Sequence, residues 1–67
     1  MQVERIESFT VSGFCGAFGI SRPLFYKLLK VGEAPLCYTV GRRRLISRAA
    51  AEEWVRAREH QTLKAVA

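Results

Sequence analysis

Residues 10–30 read TVSGFCGAFGISRPLFYKLLK, and the punctuation inside this stretch decides the fold. Thr10 is a good helix N-cap, because its hydroxyl can accept from a free backbone N–H one turn in. With Thr10 at the cap, Phe9 stands just outside the helix and Phe14 four residues inside, the spacing of a hydrophobic staple. Phe14, Cys15 and Phe18 then share one helical face. Gly13 and Gly16 each weaken the helix by up to ~1 kcal/mol relative to alanine, so it depends on packing or on a neighbour that only glycine admits. Gly19 ends it, since glycine adopts the left-handed conformation at no steric cost. Ile20 points inward and Ser21 caps a second helix. Pro23 lies in the first turn of that helix, where its missing N–H costs nothing. Phe25, Leu28 and Leu29 form the buried stripe, and Arg22, Tyr26, Lys27 and Lys30 take the other faces. Gly32 and Pro35 close the helix.

Working outward, Leu36 to Val40 reads as a strand, with Tyr38 and Val40 alternating against Cys37 and Thr39. Gly41-Arg42-Arg43 is a turn and Arg44-Leu45-Ile46 the returning strand, so the pair forms a β-hairpin. Ser47 caps a last helix over residues 48–59. Ala50, Ala51, Trp54, Val55 and Arg58 mark its inward side. Trp54 is read as a core side chain that packs against the hairpin and sets its angle. The expected organisation is one domain over residues 1–59, with a flexible start at 1–7, and a C-terminal tail at 60–67.

The chain has 67 residues, 49% of them hydrophobic and 25% charged. That composition is globular, and its length allows one small core and no deep substrate cleft. Asparagine and aspartate are absent and His60 is the single histidine. Paired catalytic carboxylates, a Ser-His-Asp triad and a histidine-rich metal site are hard to build from this inventory. The expectation is therefore no enzyme activity, no metal and no cofactor, with His60 exposed near a fraying end. Cys15 and Cys37 lack a CxxC pattern and read as reduced, buried thiols, a disulfide being the alternative. No apolar run is long enough for a membrane helix and no leader pattern opens the chain. The expected setting is soluble and cytoplasmic.

The net charge of +5 is unevenly spread. Residues 20–48 carry Arg22, Lys27, Lys30, Arg42, Arg43, Arg44 and Arg48 against Glu33 alone, a net +6. The segments on either side are close to neutral. The excess belongs to the second helix and the hairpin, and it points to a polyanionic partner.

Two short helices joined at a glycine turn have the spacing of a helix-turn-helix, whose second helix enters the major groove with its N-terminal residues at base edges. The arginine-tipped hairpin that follows has the make-up of a wing reaching phosphates or the adjacent minor groove. FTVSGFCGAFGISRPLFYKLLKVGEAP followed by TVGRRRLISRAAAEEWV resembles the small winged helix-turn-helix domains of the excisionase type. That group includes phage and plasmid excisionases, AlpA-like regulators and relatives of the MerR DNA-binding domain. The resemblance covers roughly residues 8–58. It rests on Thr10-Val11, on Gly19-Ile20-Ser21-Arg22, on Tyr26, on Gly32 with Pro35, on Gly41 with its arginines, and on Ile46 to Trp54. It implies a mainly α fold with a small β-hairpin wing that binds double-stranded DNA. The resemblance further implies a recombination directionality factor, whose copies bind side by side on repeated sites, bend DNA and assist a site-specific recombinase (an integrase). An AlpA-like regulator of mobile-element genes is the alternative. The chain departs from the family at Gly13, where a glutamate often closes a capping box with the threonine. It departs again at Pro23 and Leu24, where small hydroxylic residues are common.

On this reading the recognition-helix residues are Ser21, Arg22, Pro23, Leu24, Tyr26, Lys27 and Lys30, and the wing residues are Arg42, Arg43 and Arg44. Arg22 can reach the O6 and N7 of guanine as a bidentate pair, or bind a phosphate. Leu24 is available to a thymine methyl. Tyr26 either donates to a phosphate or joins the apolar stripe. Lys27 and Lys30, one turn apart, bind phosphates or form a solvated face. Arg42 and Arg43 contact DNA or merely protect an edge strand from aggregation. With no asparagine and only Gln2 and Gln61 near the termini, the usual adenine readers are missing.

Overall fold

The computed structural model describes residues 7–66. It contains three helices and a three-stranded antiparallel sheet, mostly α. The order is β1 (Ser8–Thr10), α1 (Val11–Phe18), α2 (Arg22–Lys30), β2 (Tyr38–Val40), β3 (Arg43–Ser47) and α3 (Arg48–Val66). The expected flexible start falls outside the described residues except for Glu7. The Glu7 carbonyl accepts from the Arg48 N–H at 2.8 Å, which ties the start of β1 to the start of α3.

The local signals act as their chemistry requires. Thr10 caps α1, its hydroxyl accepting from the Gly13 N–H at 3.0 Å. The rings of Phe9 and Phe14 meet edge to face at 6.2 Å, closing the staple. Gly19 has φ 71, and the Ile20 N–H donates to the Cys15 carbonyl at 3.1 Å, so the chain turns sharply out of α1. Ser21 then caps α2 by accepting from the Leu24 N–H at 3.2 Å. Ser47 does the same for α3, accepting from the Ala50 N–H at 3.0 Å.

The sequence reading contained no β1. Its three residues extend the hairpin into a sheet of order β1-β3-β2, with β3 in the centre. Phe9 pairs with Ile46, and Thr10 and Tyr38 flank Leu45 from opposite sides. Alternation along the strands puts Phe9, Thr39, Arg44 and Ile46 on one face and Ser8, Thr10, Tyr38, Val40, Arg43 and Leu45 on the other. The helices cover the Phe9–Ile46 face. Across the opposite face the hydroxyls of Ser8 and Tyr38 are hydrogen-bonded, bridging the two outer strands.

The core consists of Val11, Phe14, Cys15, Phe25, Ile46 and Ala51, one or more from every helix and one from β3. Phe14 is its hub. Its ring lies 4.7 Å from Phe18, 5.7 Å from Phe25 and 5.4 Å from Trp54, so α1, α2 and α3 meet on one side chain. Both cysteines are free thiols, Cys15 buried and Cys37 half-buried.

Two expectations need correction, and Trp54 makes a contact the sequence did not show. The β2 strand starts at Tyr38, because Leu36 is 81% exposed and has no strand partner. Trp54 packs against the core and also ties down a loop. Its indole N–H donates to the Glu33 carbonyl at 2.8 Å, and Arg58 reaches the Glu33 carboxylate at 3.4 Å, so α3 holds the loop between α2 and β2. The last helix does not stop near residue 59 in favour of a tail. It continues to Val66, 19 residues in all, about 28 Å of helix.

Candidate nucleic-acid interface

The α2 residues singled out from the sequence stand together at the surface. Ser21, Arg22, Pro23, Leu24, Tyr26, Lys27 and Lys30 are all exposed. At about 100° per residue, Pro23, Lys27 and Lys30 stand opposite the buried Phe25 and form the outward face. Arg22 and Tyr26 flank that face on one side. The Tyr26 ring packs edge-on against Phe25 at 5.4 Å while the side chain stays 45% exposed, so it is both anchored and accessible. Leu24 flanks the other side. There it joins Leu28 along a groove shared with α3.

Helix α2 has no acidic residue in its first turn and both lysines in its last. Lys27 and Lys30 therefore sit favourably at the negative end of the helix dipole, a structural reason for their position independent of any ligand.

The hairpin arginines do not act as one cluster. A two-residue turn, Gly41-Arg42, joins β2 to β3. Gly41 has φ 60 and occupies the first central position, where a type II′ turn takes glycine. Arg42 is at the tip. Arg43 already belongs to β3, opposite Val40, and Arg44 lies opposite Thr39. The strand pleat thus sends Arg43 to the open sheet face and Arg44 to the face shared with Ile46. The sequence reading placed Arg43 in the turn; the register moves it onto the strand.

The electrostatics follow from what is paired. Among the described residues the ion pairs are Arg48–Glu52 at 3.7 Å and Arg58–Glu33 at 3.4 Å, both made by α3. The cations of α2 and of the hairpin have no carboxylate neighbour there. Such a surface attracts an anion through charge and guanidinium or ammonium N–H donors. Among the described residues no group of three His, Cys, Asp or Glu side chains stands close enough to hold a metal. No described helix is long and apolar enough to cross a membrane.

Sequence reasoning missed two features beside this surface. Glu33 was counted only as a charge, yet its carbonyl and carboxylate both bind α3. Leu63 was assigned to a tail; it lines the α2–α3 groove. Its spacing of eight residues from Val55, two helical turns, was the available signal.

Comparison with family models, with curated proteins and with solved structures returned no match.

Proposed function

We propose that this chain binds double-stranded DNA as a winged helix-turn-helix domain, with α2 in the major groove and the β2–β3 hairpin against the flanking backbone or minor groove. The observation that supports the reading best is the separation of charge. Lys27, Lys30, Arg42, Arg43 and Arg44 are exposed and without carboxylate neighbours among the described residues, while the ion pairs there are made by Arg48 and Arg58 of α3 with Glu52 and Glu33. A long polyanion is the partner that such a surface fits.

Arg22 and Ser21, at the N-terminus of α2, are the base readers on this reading. Lys27, Lys30 and Tyr26 bind phosphates, as do Arg42, Arg43 and Arg44 of the hairpin. Leu24 lies toward the groove with α3, so a thymine-methyl contact by Leu24 is the weakest element of the original assignment. The proposal includes no catalytic step and no cofactor.

Within this class we favour a recombination directionality factor of the excisionase type, acting in the cytoplasm beside a site-specific recombinase and with further copies on neighbouring sites. A single module of this kind covers about 600–1,000 Å² on DNA, so useful specificity calls for neighbours. An AlpA-like transcription regulator uses the same contacts. A nuclease-protection footprint on DNA of the host element separates the two. Protection of a recombination attachment site supports the first role, and protection confined to a promoter supports the second. Affinity that does not change with salt, or that no duplex competes for, refutes DNA binding altogether.

A further inference from the structure

The exposed side chains of α2 and its cap carry hydroxyl, guanidinium and ammonium groups, and none carries a carbonyl or carboxylate oxygen. The same holds for the hairpin from Thr39 to Arg44. Ser21 sharpens the asymmetry. Its hydroxyl oxygen accepts from the Leu24 N–H at 3.2 Å, the bond that caps α2, so its hydroxyl proton is left to donate. The main chain of the first turn offers little beside it. Pro23 has no N–H, the Leu24 N–H is held by Ser21 Oγ, and the Phe25 N–H donates to the Ser21 carbonyl at 3.0 Å. The start of α2 is therefore a poor main-chain cradle for a phosphate, which needs several free N–H groups. What it presents instead is two side chains, Ser21 and Arg22.

Arg22 stands at the first position of α2, the positive end of the helix dipole, with no acidic residue in that turn to offset it. It is in no ion pair among the described residues. Lys27 and Lys30 gain from their place at the opposite end of the helix, whereas the dipole opposes Arg22. The fold alone gives no reason for a cation there, and an acceptor-rich partner does.

The edges of the bases in the major groove are not equivalent to such a surface. Guanine presents two adjacent acceptors, N7 and O6, and thymine presents O4. Adenine sets its N6 donor beside N7, and cytosine presents the N4 donor. A surface of donors leaves those amino groups unpaired, which costs free energy when water is displaced. Resting on the DNA-binding reading, we propose that α2 selects a guanine with a second keto base, guanine or thymine, next to it on the same strand. Arg22 donates to N7 and O6 of the guanine, and the Ser21 hydroxyl donates to an acceptor of the neighbour.

The test begins with site selection by the full chain from duplexes with a randomised core, followed by fluorescence anisotropy on the selected duplex. A guanine beside a guanine or thymine is expected in the selected sequence. Placing 7-deazaguanine there removes N7 and keeps the base pair; it is expected to weaken binding at least about fivefold. Inosine in the same place alters only the minor-groove edge and is expected to bind within about threefold of guanine. Arg22→Gln, which sets an acceptor beside a donor, is expected to end the selection of guanine at one position, with adenine rising in its place. A selected site without a guanine beside a keto base overturns the proposal. So does a loss with inosine but not with 7-deazaguanine, which puts the reading in the minor groove, or undiminished guanine selection by Arg22→Gln. Salt-dependent binding that selects no bases overturns it while leaving the DNA-binding reading intact. Binding indifferent to salt and to duplex competitor overturns both.

Discussion

Replacing Arg42 and Arg43 together by alanine probes the proposed electrostatic surface most directly. Both side chains are exposed, one at the hairpin tip and one at the start of β3, and neither is in the core or in an ion pair among the described residues. The folded domain should therefore tolerate the change. If Lys27, Lys30, Arg42, Arg43 and Arg44 each neutralise one phosphate, log K falls with log salt at a slope of about −4.5. Removing two of the five lowers the slope to about −2.7. Between about 50 and about 200 mM salt the wild type should lose roughly 500-fold in affinity and the double variant roughly 40-fold. The affinity gap between the two proteins thus narrows about twelvefold over that range. Fluorescence anisotropy on a labelled duplex, read at four or five salt concentrations, measures both slopes. The weakening should appear equally on an unrelated duplex, because phosphates carry no sequence. Two parallel lines, displaced or not, would show that these arginines release no counterions, and the hairpin would not be a wing on DNA.

Further variants separate reading from gripping and stability from both. Arg22→Ala should cost about 1–3 kcal/mol on the preferred site and relax preference at one base position; an unchanged site selection in a randomised-duplex experiment removes Arg22 from the base readers. Gly16 has nothing within 4 Å of where a Cβ would stand and lies inside α1 with no positive φ, so Gly16→Ala should stabilise α1 by about 0.5–1 kcal/mol, a rise of several degrees in thermal midpoint by calorimetry. Gly19→Ala has the same open space but a φ of 71; it should destabilise, opposite in sign, because the side chain strains the left-handed turn. Phe14→Ala removes the ring shared by three helices and should cost about 3–5 kcal/mol, enough to unfold most of a domain this size in a urea titration.

Much of the fold was legible because much of it is local. The Thr10, Ser21 and Ser47 caps and the Phe9–Phe14 staple act across three to five residues. So does the Gly19 turn, and their partners are present in any reading of the chain. The α2 part of the candidate surface was legible for the same reason: a helix one turn longer or shorter still puts Lys27 and Lys30 opposite Phe25. The hairpin part was less so. Whether Arg43 belongs to the turn or the strand depends on a register of one residue, and that single step decides which sheet face Arg43 and Arg44 occupy.

The sequence by itself determined α1, α2, the hairpin and the start of α3, the glycine at each sharp turn and the concentration of cations between Ile20 and Arg48. These follow from capping, backbone sterics and composition, which need no distant partner. Only the tertiary structure decided that Ser8–Thr10 is a strand, since three residues show no alternation and acquire their partner from β3 far along the chain. It also decided that Trp54 and Arg58 anchor Glu33. The groove between Leu24, Leu28 and the α3 extension exists only once two helices, separate in sequence, are set side by side. Helix length and amphipathic face are properties of a segment, whereas a groove is a property of the space between segments.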